Sequence, residues 1–93
     1  MTRIAVKEFI FDDQNLKHIS KHNVVEAEIR EAGQNLIYHR RTYKGRYLLI
    51  GRSKKRLLTL ILNCLSPGKY YVVTARDASK KERRVVYEKE SSK

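Results

Sequence analysis

Two histidines in the first third of the chain, His18 and His22, could transfer protons near neutral pH. With Asn15 they fall at positions i, i+3 and i+7, so a helix would place the three side chains on one stripe. Histidine is the side chain best suited to general acid–base catalysis in this pH range. A structural role, in which the rings hydrogen-bond to the backbone or to nearby tyrosines, fits the same pattern equally well.

A second group of polar residues lies near the C-terminus. Arg76 ends a segment rich in Tyr, Val and Thr, and Glu82 and Arg83 follow one to two turns into a predicted helix. A guanidinium group binds phosphate through two parallel hydrogen bonds and can stabilise the phosphorane formed when a ribose 2′-OH attacks its neighbouring phosphate. That reaction requires a base, an acid and cations, and no metal. An Arg76–Glu82 or Glu82–Arg83 pair that only docks the helix is the alternative.

The charge of the chain is concentrated in one block. Between Ala32 and Arg76 there are ten Lys or Arg residues and no Asp or Glu, in a chain of net charge +11. Like charges at this density repel one another, which favours a polyanionic partner such as RNA, and the interleaved tyrosines offer ring faces for base stacking. A basic surface that only aids solubility is the alternative. The residues predicted to contact RNA are Arg40, Arg41, Lys44, Arg46, Arg52, Lys54, Lys55, Arg56, Tyr71 and Tyr87.

The bulk composition indicates a small globular protein. We expect one domain over residues 1–90 and a frayed tail at 91–93. No apolar run approaches the roughly 20 residues of a membrane span, and no signal peptide is evident, so the expected location is cytoplasmic. The single cysteine, Cys64, suits a reducing compartment and is predicted to be a buried structural thiol. Zinc binding is disfavoured because His39 and Cys64 are isolated, and no metal or cofactor is expected.

Local signals predict three helices. Asp12 or Asp13 caps the first, which runs to about Lys21, and Asn23 caps the second in a capping box with Glu26. Gly33 is expected to end the second helix, and Asp77 to cap a third helix over Ala78–Glu90. The side chains expected to face inward are Leu16, Ile19, Val25, Ile29, Ala32, Val85 and Val86.

Between the second and third helices the sequence predicts four strands, at Asn35–Arg40, Arg46–Gly51, Arg56–Asn63 and Lys69–Ala75. The short turns between them imply an antiparallel sheet, with helices covering one face. The apolar segment Ile4–Phe11 could add a fifth strand or form an extended arm. The predicted fold class is therefore α+β, with the order (β)ααββββα.

Taken together, these motifs resemble the BrnT-type toxins. The resemblance covers roughly Phe11 to Tyr87 and depends on the order and spacing of four pieces. These are Asn15-x-x-His18-Ile19-x-x-His22, Gly51-Arg52-Ser53 with Arg56-Leu57-Leu58, Tyr71-Val72-Val73-Thr74-Ala75-Arg76-Asp77, and Glu82-Arg83-Arg84 before Tyr87.

The resemblance implies a RelE-like ribonuclease toxin of a type II toxin–antitoxin pair. Such a protein cleaves RNA and slows translation, and it is held inactive by an acidic, DNA-binding antitoxin in a hetero-oligomer. The family's histidines map onto His18 and His22, its strand-end arginine onto Arg76, and its Glu-Arg pair onto Glu82 and Arg83. A non-catalytic RNA- or protein-binding module of the same fold is the alternative function.

Overall fold

The computed structural model describes residues 6–91. In chain order the elements are β1 (Glu8–Ile10), α1 (Asp13–Ser20), α2 (Glu26–Gln34), β2 (Leu36–Arg41), β3 (Arg46–Ser53), β4 (Arg56–Ser66), β5 (Lys69–Asp77) and α3 (Lys80–Ser91). The predicted α+β fold and element order are confirmed. Residues 4 and 5 of the predicted first strand, and residues 92 and 93 of the predicted frayed tail, lie outside the described residues. No helix within residues 6–91 combines the length and the apolar character needed to cross a bilayer.

The five strands form one sheet in the order β1-β5-β4-β3-β2. Strands β2 to β5 are an antiparallel meander, as the short turns predict. Left-handed backbone conformations occur in all three of these turns, at Lys44 (φ 64°), Lys54 (φ 57°) and Gly68 (φ 84°). β1 pairs with β5 in parallel, so the complete sheet is mixed.

Helices lie against both faces of the sheet, whereas one covered face was predicted. On the first face, α1 and α2 pack over a core that includes Ile19, Val24, Ile29, Ala32, Leu49, Leu60, Leu62, Val72 and Ala75. On the second face, α3 completes a smaller core made of Leu48, Ile50, Leu57, Ala78 and Val86. The second face is therefore shielded from solvent where α3 crosses it, although the strands beneath α3 carry the basic block.

The start of α1 follows its sequence signals, but its buried side chains do not. Asp12 caps the helix by accepting a hydrogen bond from the Asn15 backbone N–H (2.9 Å), and the Asp12 N–H donates to Asn15 Oδ1 (2.8 Å). Ile19 is buried as expected, whereas Leu16 is exposed. Asn15 is buried in its place, so the inward placement of Leu16 was wrong.

The predicted boundaries of α2 were also wrong. Asn23 does not cap the helix but has a left-handed φ of 57°, and the Val25 N–H donates to Glu28 Oε1 (3.1 Å) in the first turn. Val24 is consequently the buried valine, while Val25 is exposed. At the other end, α2 continues through Gly33, where an added Cβ would lie 2.7 Å from the Phe9 ring. Gly33 is needed for close packing and not for termination.

Cys64 is exposed, so the prediction of a buried thiol was wrong. β4 continues past the predicted end to Ser66, and its last four residues, beginning at Asn63, are all exposed. The Cys64 thiol instead donates to the Ser66 carbonyl over 3.4 Å.

The third helix begins two residues later than predicted, at Lys80. Ser79, not Asp77, caps it, because the Ser79 hydroxyl accepts from the Glu82 N–H (3.2 Å). Val86 is buried as expected, Val85 is half-buried, and Tyr87 is exposed. The carboxylate of Asp77 is thereby free of the helix start and takes another role, described below.

Candidate functional site

Arg76, near the end of β5, forms an ion pair with Glu82 in the first turn of α3. The contact is bidentate, with Arg76 Nη1 donating to Oε1 (2.7 Å) and Nη2 to Oε2 (3.0 Å). Glu82 Oε1 also accepts from the Thr59 hydroxyl (2.9 Å) and the Ser79 N–H (2.7 Å). The Arg76 side chain remains 37% exposed, compared with 16% for Glu82. A fixed guanidinium group is therefore presented at the surface.

These hydrogen bonds determine which role Glu82 can take. Burial alone would raise the pKa of Glu82, but the donors from Arg76, Ser79 and Thr59 outweigh it and lower that pKa to about 2. A carboxylate this acidic is a weak base at neutral pH. Glu82 is therefore placed to orient Arg76, and it is poorly suited to abstract a proton.

The two histidines lie close to each other on the exposed side of α1. Their ring centroids are 5.6 Å apart in an edge-to-face arrangement. His18 is in α1, whereas His22 lies just beyond its end at Ser20, so the predicted shared helical stripe is only partly formed. His18 borders a cleft between α1 and β5, together with Lys17, Lys21 and Tyr71.

Asn15, the third member of the predicted stripe, is an anchor of the fold. Its side-chain amide donates to the Ile10 carbonyl (2.9 Å), where β1 ends, and to the Val72 carbonyl (3.0 Å) on the adjoining edge of β5. It is 1% exposed, so its polar atoms are directed to the backbone and not to the cleft. Asn15 therefore fixes α1, and with it His18, along the β5 edge.

Arg56 connects the region around the histidines with the region around Arg76. Its guanidinium donates to Asp77 (2.6 and 3.2 Å) and to both oxygens of Glu28 (3.0 Å each). It also donates to the backbone carbonyls of Asn23 (2.8 Å) and His22 (3.3 Å). The Asp77 contact is the main reason that the pKa of Arg56 is raised, and Arg56 in turn lowers the pKa of Asp77. The donors of Arg56 are engaged within the protein, which argues against the predicted RNA contact.

The predicted RNA-binding residues do not form one patch. Arg40, Arg41, Lys44 and Arg46 lie at one end of the β2–β3 hairpin, and Arg52, Lys54, Lys55 and Arg56 lie at the other end of β3. The two groups are separated by the length of β3, about 23 Å at 3.3 Å per residue. Arg52 is paired with Glu90 on α3 (3.0 Å).

The other predicted site residues, Tyr71, Arg83 and Tyr87, lie in two further regions of the surface. Tyr71 borders the α1–β5 cleft, and its hydroxyl donates to Asp12 over 3.1 to 3.2 Å. Arg83 and Tyr87 lie four residues apart on α3 and border the same shallow surface depression.

The structure thus brings Arg76 together with Glu82 and His18 together with His22. Within residues 6–91, no hydrogen bond or ion pair joins either histidine to Arg76, Glu82 or Arg83; the connection runs through Arg56 and Asp77. No group of three or more His, Cys, Asp or Glu residues in the described part of the chain could hold a metal ion. Sequence reasoning missed Thr59, whose one signal was a hydroxyl inside an apolar strand, and the bridging role of Asp77.

Comparison with known proteins supports the fold assignment. No protein-family model matches the sequence, and no curated protein matches it. The structure is similar to the crystal structure of the Brucella abortus ribonuclease toxin BrnT, with a TM-score of 0.60. That similarity covers 85% of this chain and 100% of BrnT at 18% sequence identity. The chain therefore has the fold of the BrnT ribonuclease toxin.

Proposed function

We propose that this chain is the toxin of a type II toxin–antitoxin pair and acts as a metal-independent endoribonuclease in the cytoplasm. The observation that carries the proposal is the Arg76 guanidinium, held bidentately by Glu82 yet exposed at the surface of a basic protein with the BrnT fold. Such a fixed cation stabilises charge that develops on a phosphate without reorganising during the reaction.

In the proposed reaction the ribose 2′-oxygen attacks the adjacent phosphorus. A base removes the 2′-OH proton, the bond from phosphorus to the 5′-oxygen breaks, and an acid protonates that leaving oxygen. The products are a 2′,3′-cyclic phosphate and a free 5′-hydroxyl. His18 and His22 are the candidates for base and acid. Arg76 stabilises the negative charge of the phosphorane, and Arg83 assists Arg76.

Cleavage of a synthetic RNA by the purified protein in excess chelator tests this assignment. His18→Ala or His22→Ala should reduce the rate by about 10² to 10⁴-fold, and Arg76→Ala by about 10² to 10³-fold. Arg30→Ala is the matched control, because Arg30 is an exposed α2 residue paired with Glu26, and no hydrogen bond or ion pair within residues 6–91 joins it to His18, His22 or Arg76. Loss of activity in chelator, or full activity of all three site variants, would refute the mechanism.

The partner is proposed to be an acidic antitoxin that blocks the basic surface. Pairing within the chain limits which cations an antitoxin can reach: Arg46 has no ion pair within residues 6–91, whereas Arg52, Arg56 and Arg76 are already paired with carboxylates. Expression of the chain alone should arrest growth, and co-expression of the protein encoded next to it should restore growth. Normal growth with verified expression of the lone chain would count against a toxin.

A non-catalytic binding module is the second candidate. The observation that favours it is that Glu82 occupies both terminal nitrogens of Arg76 while the histidines contact neither residue. Such a module would bind RNA, or a protein, with no turnover. Binding of intact RNA without cleavage products, unchanged by His22→Ala, would favour this reading.

A further inference from the structure

A groove separates the first half of α3 from strands β2 and β3, on the sheet face opposite α1 and α2. Its volume is about 310 Å³. Tyr38 and Arg40 line it from β2, Leu48 and Ile50 from β3, and Lys81 and Val85 from α3. Ser79 and Glu82 complete the lining, so the groove shares Arg40, Ser79 and Glu82 with the site described above.

The lining has the composition of a ligand site. Leu48, Ile50 and Val85 supply apolar side chains, Tyr38 supplies an aromatic ring, and a few polar groups stand among them. Small-molecule sites typically have this mixture and volumes from about 300 Å³ upward. A flat, partly apolar group carrying polar edges matches such a lining better than a fully charged one.

The charges around the groove favour an anion nearby. Arg40 and Lys81 are exposed, and neither has an ion pair with any carboxylate within residues 6–91. The carboxylate that lines the groove, Glu82, is already neutralised by Arg76. The Lys89 ammonium lies over the Tyr38 ring, 5.6 Å from its centroid, so a base that stacks on that face displaces it toward the flanking phosphate.

The groove also adjoins the Arg76–Glu82 pair. Glu82 belongs to the groove wall and holds Arg76 through a 2.7 Å contact, so a ligand in the groove would lie next to the proposed phosphate position. We propose that the groove is a nucleobase subsite, in which one base of single-stranded RNA stacks on Tyr38 while Arg40 and Lys81 contact the phosphates flanking it. This inference rests on the proposed function and adds to it the position of a base beside the cleaved bond.

An acidic peptide could pair with the same cations, but it would make no specific interaction with the Tyr38 ring. Base stacking on an aromatic side chain is tolerant of sequence and worth about 5- to 100-fold in affinity per base. The subsite should therefore strengthen RNA binding with little sequence preference. A peptide occupant would instead depend on Arg40 and Lys81 and be indifferent to the ring.

The test is the affinity of a 2′-O-methyl RNA tetranucleotide, which cannot react through its 2′-oxygen, measured by fluorescence anisotropy. Tyr38→Leu keeps apolar volume in the groove and should weaken binding by about 5- to 100-fold, whereas Tyr38→Phe should bind like the wild type. Lys81→Ala should reduce the slope of log affinity against log salt by about 0.7. Lys80→Ala, which removes a neighbouring charge from outside the groove, is the matched control and should change the slope less.

The outcomes separate this inference from the proposed function. Wild-type protein that neither binds the tetranucleotide nor cuts RNA refutes both. Wild-type protein that binds and cuts RNA, with Tyr38→Leu equal to wild type in affinity, refutes the subsite alone. Tyr38→Phe binding as weakly as Tyr38→Leu also refutes it, because the hydroxyl and not the stacking face would then matter. Thermal melting of each variant verifies that the fold is retained.

Discussion

Replacing Arg56 by alanine should destabilise the fold more than replacing Arg52, an arginine of the basic block whose ion pair is more exposed. Arg56 ties together the loop after α1, the first turn of α2 and the end of β5, through His22, Asn23, Glu28 and Asp77. The region from His22 to Glu28 is distant in sequence from both Arg56 and Asp77, so no local interaction replaces the contacts once the guanidinium is removed.

The size of the effect follows from exposure. Hydrogen bonds to charged groups contribute about 1.5 to 3 kcal/mol each when sheltered, and exposed ion pairs contribute about 0 to 1 kcal/mol. The Arg56 and Glu28 side chains are 26% and 27% exposed, and Asp77 is 53% exposed, so the Asp77 contact is screened and the carboxylates rehydrate in the variant. We expect a loss of about 2 to 4 kcal/mol in the free energy of unfolding, or about 10 to 25 °C in melting temperature for a domain of this size.

Urea denaturation of wild type, Arg56→Ala and Arg52→Ala measures the difference. Arg52 is the matched control, because it carries the same side chain, also paired across the fold, but its contact with Glu90 is more exposed at 36% and 41%. Its replacement should cost less than about 1 kcal/mol. Equal stabilities of the two variants would refute the reasoning that the Arg56 network holds the α1–α2 loop against β5.

Two further predictions concern stability. The folded pKa of Glu82, about 2, lies below its ordinary value of 4.5, so its contribution is present above pH 4.5 and lost as the pH falls toward 2. Glu82→Gln should therefore be less stable than wild type at neutral pH, by at most about 3 kcal/mol, and urea denaturation should show the gap closing on acidification; a gap independent of pH would contradict the cause given. Gly51→Ala should cost about 3 kcal/mol or prevent folding, because the new Cβ would lie 1.9 Å from the Ala32 carbonyl oxygen. Gly45→Ala, with nothing within 4 Å and a φ of 71°, is its control and should cost about 1 kcal/mol by thermal or urea unfolding; similar losses at both glycines would contradict the packing argument.

The order of elements followed from local signals. The Asp12 cap, the turn at Lys44 and Gly45 and the turn at Pro67 and Gly68 each act within a few residues, so the sequence carries them directly. The parallel pairing of β1 with β5 has no such signal, because it joins segments about sixty residues apart. The α2 boundaries were missed because Val24 packs inward, which shifts the first turn of the helix by two residues.

The residues of the candidate site could be predicted from the sequence more fully than the contacts between them. The pairing of Arg76 with Glu82 was one of the open alternatives and is present. The basic block contains no acidic residue in its own sequence. In the fold, however, its arginines pair with carboxylates from other parts of the chain, namely Glu28, Asp77, Glu82 and Glu90. Charge counted along a sequence therefore overstates the number of cations left for RNA, since tertiary pairing decides which ones are engaged.

Cleavage of RNA through attack by its own 2′-hydroxyl, next to Arg76, can be tested with one pair of substrates. The pair consists of an RNA that the protein cuts at a mapped position and the same RNA with a single 2′-deoxyribose on the 5′ side of that bond. We expect a 2′,3′-cyclic phosphate from the first RNA, with chelator present, and no cleavage at the modified position in the second. Cleavage of the deoxy-substituted RNA at the rate of the unmodified RNA would contradict the claim.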